Sequence, residues 1–151
     1  MNSCFWHTIR SIKRAIRHNF IGLKLTQERF MKILIVEDDP TAAQIMHDTM
    51  KLWKQEVFLA STGKTAVLAA ENQIFDLVLL DIMLPDGYGY DFIPKIRTAQ
   101  PDLMIITMTG NNTPEMEKQV RQHSITYYMA KPVNFKELKN IIRFSKKLQQ
   151  A

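Results

Sequence analysis

The chain has a single cysteine, Cys4, in 151 residues, so no internal disulfide can form. Small extracellular domains lean on disulfides, so this scarcity points to a reducing compartment, and a cytoplasmic protein is the expectation. The four histidines, His7, His18, His47 and His123, are scattered, and none sits at metal-ligand spacing. No apolar run approaches the roughly 18 residues of a membrane-crossing helix. The first 30 residues lack both the continuous apolar stretch and the small-residue cleavage site of a secretory signal. There is no repeat and no low-complexity tract. What is present is 46% hydrophobic and 23% charged, the balance of an ordinary globular chain of one domain.

The net charge of +5 is unevenly placed. Arg10, Lys13, Arg14, Arg17, Lys24 and Arg29 stand against Glu28 in residues 1–30, and residues 31–151 are formally neutral. The basic character therefore belongs to a leader, and the main body gives no support to direct nucleic-acid binding.

From Met31 onward, apolar runs alternate with helix-like segments. Strands are expected at Ile33–Val36, Glu56–Ala60, Leu77–Leu80, Leu103–Met108 and Ile125–Met129. Leu77–Leu80 is apolar at every position, as in a strand covered on both faces. Asp39 before Pro40, Thr62 before Gly63, Thr113 before Pro114, and Asn134 with Glu137 three residues on are helix-start signals. The segment after Thr113 is the least amphipathic of the helices. Five strands alternating with five helices predict an α/β fold, a five-stranded parallel sheet with helices on both faces. In the common doubly wound order 2-1-3-4-5, strands one and three are neighbours.

Ligands of such sheets bind outside the carboxyl ends of the strands. The first strand runs into Glu37, Asp38 and Asp39, the third into Asp81, the fourth into Thr109–Gly110, and the fifth into Lys131–Pro132. Asp39 reads as a helix cap. The other groups converge on one crevice: carboxylates, a hydroxyl and an ammonium. Clustered oxygens without Cys or His favour a hard cation, with Mg²⁺ the usual one. An aspartate beside Mg²⁺ can attack phosphorus, and Lys131 and Thr109 can hold the transferred oxygens.

The ordered motifs ILIVEDD, LLDIMLPDGYG, ITMTG and YYMAKP resemble those of the receiver domain of two-component response regulators, over residues 31–151. The resemblance implies a flavodoxin-like fold and a signalling protein rather than an enzyme, one that assists only its own phosphorylation and dephosphorylation. It implies that Asp81 accepts a phosphoryl group from a histidine kinase or phosphotransfer protein. Glu37, Asp38 and Asp81, with the backbone carbonyl of Met83, would bind Mg²⁺. Thr109 would be the switch hydroxyl, Tyr128 the switch aromatic, Lys131 the family's lysine, and Lys131–Pro132 a cis bond. Met83, two residues after Asp81, cannot hold an attacking water, so slow self-dephosphorylation is expected.

On that reading phosphorylation reshapes the face made by the fourth helix, fifth strand and last helix. Lys118, Arg121, Lys139 and Arg143 on or near it would meet an effector protein or a second copy in a homodimer. A single-domain regulator is the expectation, since no output domain follows the last helix. Two matters stay open. Residues 1–30 are either the product of a misplaced start codon or a basic amphipathic helix, with Phe5, Ile9, Ile12 and Ile16 on one face, that tethers the chain to an anionic membrane or a partner. The alternative to a phospho-switch is a receiver-fold interaction module that is never phosphorylated.

Overall fold

The computed structural model describes residues 30–149, with side chains through Ser145; the leader lies outside the described residues. The strands are β1 (Lys32–Val36), β2 (Glu56–Ala60), β3 (Leu77–Asp81), β4 (Met83–Leu84), β5 (Gly87–Tyr88), β6 (Met104–Thr109) and β7 (Tyr127–Ala130). The helices are α1 (Pro40–Leu52), α2 (Gly63–Asn72), α3 (Gly89–Ala99), α4 (Pro114–Arg121) and α5 (Phe135–Gln149). The main sheet is five-stranded and parallel, in the order β2-β1-β3-β6-β7. This is the expected 2-1-3-4-5 order once β4 and β5, a separate two-stranded hairpin, are set aside.

Successive side chains of a strand point to opposite faces, and here both faces are covered. Leu34, Val36, Val78, Leu80 and Ile105 pack on one side with Val67 and Ala70 of α2 and Phe92, Ile93 and Ile96 of α3. Ile33, Ile35, Leu77, Leu79, Ile106 and Met108 pack on the other with Met46 and Met50 of α1 and Leu138 and Ile142 of α5. The unbroken apolar runs of β1 and β3 follow from burial on two sides. In α4 only Val120 is buried, yet its polar and apolar residues are well segregated, so the segment is not the least amphipathic of the helices, contrary to expectation.

Four of the five helix starts are those the sequence marks; α3, which starts at Gly89, has no side-chain cap. Asp39 Oδ1 accepts the Ala42 N–H at 2.7 Å, Thr113 Oγ1 the Met116 N–H at 3.1 Å, and Asn134 Oδ1 the Glu137 N–H at 3.1 Å. β7 begins two residues later than expected. Ser124 turns the chain at a φ of 55°, and pairing with β6 starts only at Ile106 opposite Tyr127. The larger omission is the hairpin, since two-residue strands are too short to show a period.

Candidate functional site

Parallel pairing puts all five carboxyl ends on one rim. β1 and β3 are in register with Val36 opposite Leu80, so Glu37 and Asp81 are the next positions along. From the far edge of the sheet, Lys131 reaches back across β6. Its Nζ donates to Glu37 Oε2 and to Asp81 Oδ2, both at 2.6 Å. Its own N–H is held by the Thr109 carbonyl at 2.7 Å, and the Lys131–Pro132 bond is cis, as expected.

Glu37 and Asp81 are each only 4% exposed, whereas Asp38 is exposed. Carboxylate oxygens of Glu37, Asp38 and Asp81 all lie within 4.8 Å of one another. Three carboxylates thus cluster at the rim, and the Lys131 ammonium bonds two of them, Glu37 and Asp81. Burial pushes the Glu37 carboxyl above its ordinary value; the Lys131 hydrogen bond works against this, and the charge of Asp81 adds to it. Burial alone would lower Lys131, but its bonds to Asp81 and Glu37 outweigh that and raise it.

Thr109 closes the rim at the end of β6 and is fully buried. Its hydroxyl donates to the Asn111 carbonyl and accepts the Asn111 N–H, each at 3.1 Å, so it faces the following loop. Tyr128 lies half-buried, with the Arg121 guanidinium 6.0 Å from its ring centroid. The Tyr128 hydroxyl is buried and has no hydrogen-bond partner among the described residues. Burial and then the charge of Glu117 raise its pKa; Arg121 and the nearby Thr109 hydroxyl, itself committed to Asn111, pull it down.

A chain with these motifs in this geometry matches the response regulator receiver domain model over residues 33–143. The chain belongs to the response regulator receiver domain family. It is 31% identical over 113 residues, 73% of its length, to the DNA-binding transcriptional regulator NtrC of Azospirillum brasilense, of which it covers 23%. It superposes on a CheY-like receiver domain protein of Methanospirillum hungatei JF-1 with a TM-score of 0.75 at 29% identity, covering 80% of this chain and 97% of that one. The receiver domain of a sensor histidine kinase from Pseudomonas aeruginosa PAO1, solved with a magnesium ion in its active-site cleft, gives a TM-score of 0.69 at 30% identity, covering 76% and 95%. The chain spans less than half the length of curated relatives such as NtrC. Phosphorylation and Mg²⁺ binding are typical of the family, and no helix among the described residues is long and apolar enough to cross a membrane.

The donor set of this receiver domain fits such a cation. It is all oxygen, and three carboxylates against one lysine leave two negative charges in a partly buried cleft. The fourth expected ligand is the Met83 carbonyl. Gly89 N–H bonds the Ile82 carbonyl at 2.7 Å, which makes the next pair, Met83 with Tyr88, a non-bonded pair of the hairpin ladder. Both backbone groups of Met83 therefore point away from β5, and its N–H reaches Asp81 Oδ1 at 3.1 Å.

Two residues of this loop carry more than the sequence suggested. Gly89 does more than shape a turn: a Cβ there would lie 2.0 Å from the Asp81 carbonyl oxygen. Asp86, to which no role was given, bonds the start of α2. Its partners, Gly63 and Lys64, lie 23 and 22 residues earlier, too far for a local sequence signal. Of the four cations expected near the α4–β7–α5 face, Lys139 turns toward α1, its Nζ lying 5.3 Å from the Trp53 ring centroid. Arg121 stays at α4, paired with Glu117 at 2.6 Å.

Proposed function

We propose that Asp81 is the phosphoacceptor of this receiver domain, taking its phosphoryl group from a histidine kinase or phosphotransfer protein. The observation that carries this reading is the convergence of buried Glu37 and Asp81 on one lysine, with Asp38 within 4.8 Å, at the rim where parallel strands end. In the transfer, an Asp81 carboxylate oxygen forms the new O–P bond while the P–N bond of the donor phosphohistidine breaks and the imidazole leaves. Lys131 and the Met83 N–H hold the two Asp81 oxygens and orient the carboxylate. Lys131 then neutralises charge on the incoming oxygens. Mg²⁺ held by Glu37, Asp38, Asp81 and the Met83 carbonyl would supply the remaining charge neutralisation.

The new dianion gives Thr109 a stronger partner than Asn111, and a Thr109 hydroxyl drawn toward Asp81 frees the space beside Tyr128. That local charge change biases the α4–β7–α5 face, through which the domain acts on an effector protein or a second copy of itself. Such a regulator, fed by a kinase, works in the cytoplasm. The apolar, half-exposed Met83 side chain offers no hydrogen bond to an attacking water, so the phosphorylated form is long-lived. Intact mass spectrometry after incubation with acetyl phosphate tests the core of the reading. A single phosphoryl addition that needs Mg²⁺ and vanishes in Asp81→Asn is expected; labelling that persists in Asp81→Asn overturns it.

A further inference from the structure

The loop that follows Asp81 is fastened at its tip. Asp86, in the turn between β4 and β5, reaches the start of α2, where Oδ1 accepts the Gly63 N–H at 2.9 Å and Oδ2 the Lys64 N–H at 3.0 Å. A helix opens with four N–H groups that have no partner in their own turn. Thr62 Oγ1 satisfies that of Thr65, and Asp86 supplies two more from 23 and 22 residues away. We propose that Asp86 is a positioning residue for the phosphoryl-transfer site: by clamping the hairpin tip to α2, it sets where Met83 stands over Asp81. This inference rests on the reading of Asp81 as phosphoacceptor beside a metal.

The hairpin has two fixed ends. At its base, the Ile82 N–H bonds the Met108 carbonyl at 2.9 Å, inside the main sheet, and Gly89 lies so close to the Asp81 carbonyl that no side chain fits. At its tip, the backbone passes through Gly87 at a φ of 143°, and the adjacent Asp86 makes the bonds to α2. Gly63 receives that tip on a helix start where a Cβ would strike the Phe92 ring at 2.1 Å, so α2 and α3 are held at close approach. Between the two ends stand only two residue pairs, and a ladder that short does not hold itself together. Met83 lies in this span. Its side chain is half-exposed, while its N–H is the group on Asp81 Oδ1. Release of the tip therefore loosens Met83, and with it the N–H bond to Asp81 Oδ1, while every carboxylate of the cleft stays in the chain.

Amide hydrogen exchange on the metal-free chain reads this directly. In Asp86→Ala, the Met83 amide should exchange roughly tenfold faster, while the Ile82 amide, bonded within the main sheet, keeps its wild-type rate. Asp86→Asn keeps one acceptor oxygen and should fall between. Calorimetric Mg²⁺ titration should show affinity weakened roughly tenfold in Asp86→Ala, with Asn restoring part of it. The Mg²⁺ concentration for half-maximal labelling by acetyl phosphate rises with it, and the rate at saturating Mg²⁺ stays within about twofold. Unchanged Met83 exchange together with unchanged Mg²⁺ affinity overturns the inference, as does loss of Met83 and Ile82 protection together, which marks a purely structural anchor. Failure of the phosphoacceptor reading looks different: the wild-type chain then takes no label, or Asp81→Asn still takes it, whatever Asp86 does to the Met83 amide.

Discussion

The two ends of the sheet treat buried polar groups in opposite ways. At the amino end they are satisfied. Gln100 accepts the Phe75 N–H at 2.9 Å and donates to the carbonyls of Ala70 and Gln73 at 2.7 and 2.9 Å. Gln55 takes the Met31 N–H at 2.9 Å, and Asp76 takes that of Lys32 at 2.8 Å. These neutral amides and one acid close the backbone accounts of loops and strand starts. At the carboxyl end, two buried carboxylates share one lysine, a third stands beside them, and the Tyr128 hydroxyl has no partner among the described residues. One end spends its polar groups on the fold. The other keeps like charges close together in a partly buried cleft, which costs stability.

The contrast is broken most severely from the amino end. Gln100→Ala strands three backbone groups in a buried site and should cost about 3 kcal/mol, a fall of about 10 °C in Tm. Thermal unfolding reads it, and labelling below that Tm should be untouched. At the carboxyl end, Lys131→Met leaves Glu37 and Asp81 buried without a counter-ion and should cost about 2 kcal/mol in metal-free buffer. Mg²⁺ should return most of that loss; a Tm blind to Mg²⁺ would show that the carboxylates are no metal site.

A subtler test is pH. Because the folded-state pKa of Glu37 lies above its ordinary 4.5, the folded form binds that proton more readily than the unfolded chain. Its contribution favours the metal-free fold while Glu37 is protonated and is lost as pH rises from 4.5 through the raised value. The Tm difference between wild type and Glu37→Gln should therefore turn against wild type across that window; a flat difference contradicts the crowding. The smallest effect belongs to Tyr128→Phe, which removes a buried hydroxyl that has no partner among the described residues and should stabilise by up to about 1 kcal/mol, seen in denaturant unfolding.

Much of the carboxyl end was legible in the sequence because its groups sit where strands stop. Once the runs Ile33–Val36 and Leu77–Leu80 are taken as adjacent parallel strands, Glu37, Asp38 and Asp81 must meet, and Lys131 after the last strand faces them. The caps Asp39, Thr113 and Asn134 were legible because a cap acts on its own next turn. The amino end was not. Gln55, Gln100 and Asp76 bond backbone groups 24 to 44 residues away, and nothing in their neighbours in sequence marks that. The same holds for Asp86, whose partners lie on α2, and for Lys139, whose direction depends on where Trp53 ends α1. Signals carried by period and by cap chemistry are local; signals carried by a single long-range bond appear only in three dimensions.

If the carboxyl end serves phosphoryl transfer, the phosphoryl group should reach Asp81 and no other side chain. The most direct measurement is to phosphorylate the wild-type chain with acetyl phosphate and Mg²⁺, reduce the acyl phosphate with borohydride, and map the site by peptide mass spectrometry. Reduction converts an aspartyl phosphate to homoserine, and the account predicts homoserine at position 81 alone. Homoserine at position 38 or 39, or a phosphoryl group that survives borohydride on Thr109, would contradict it.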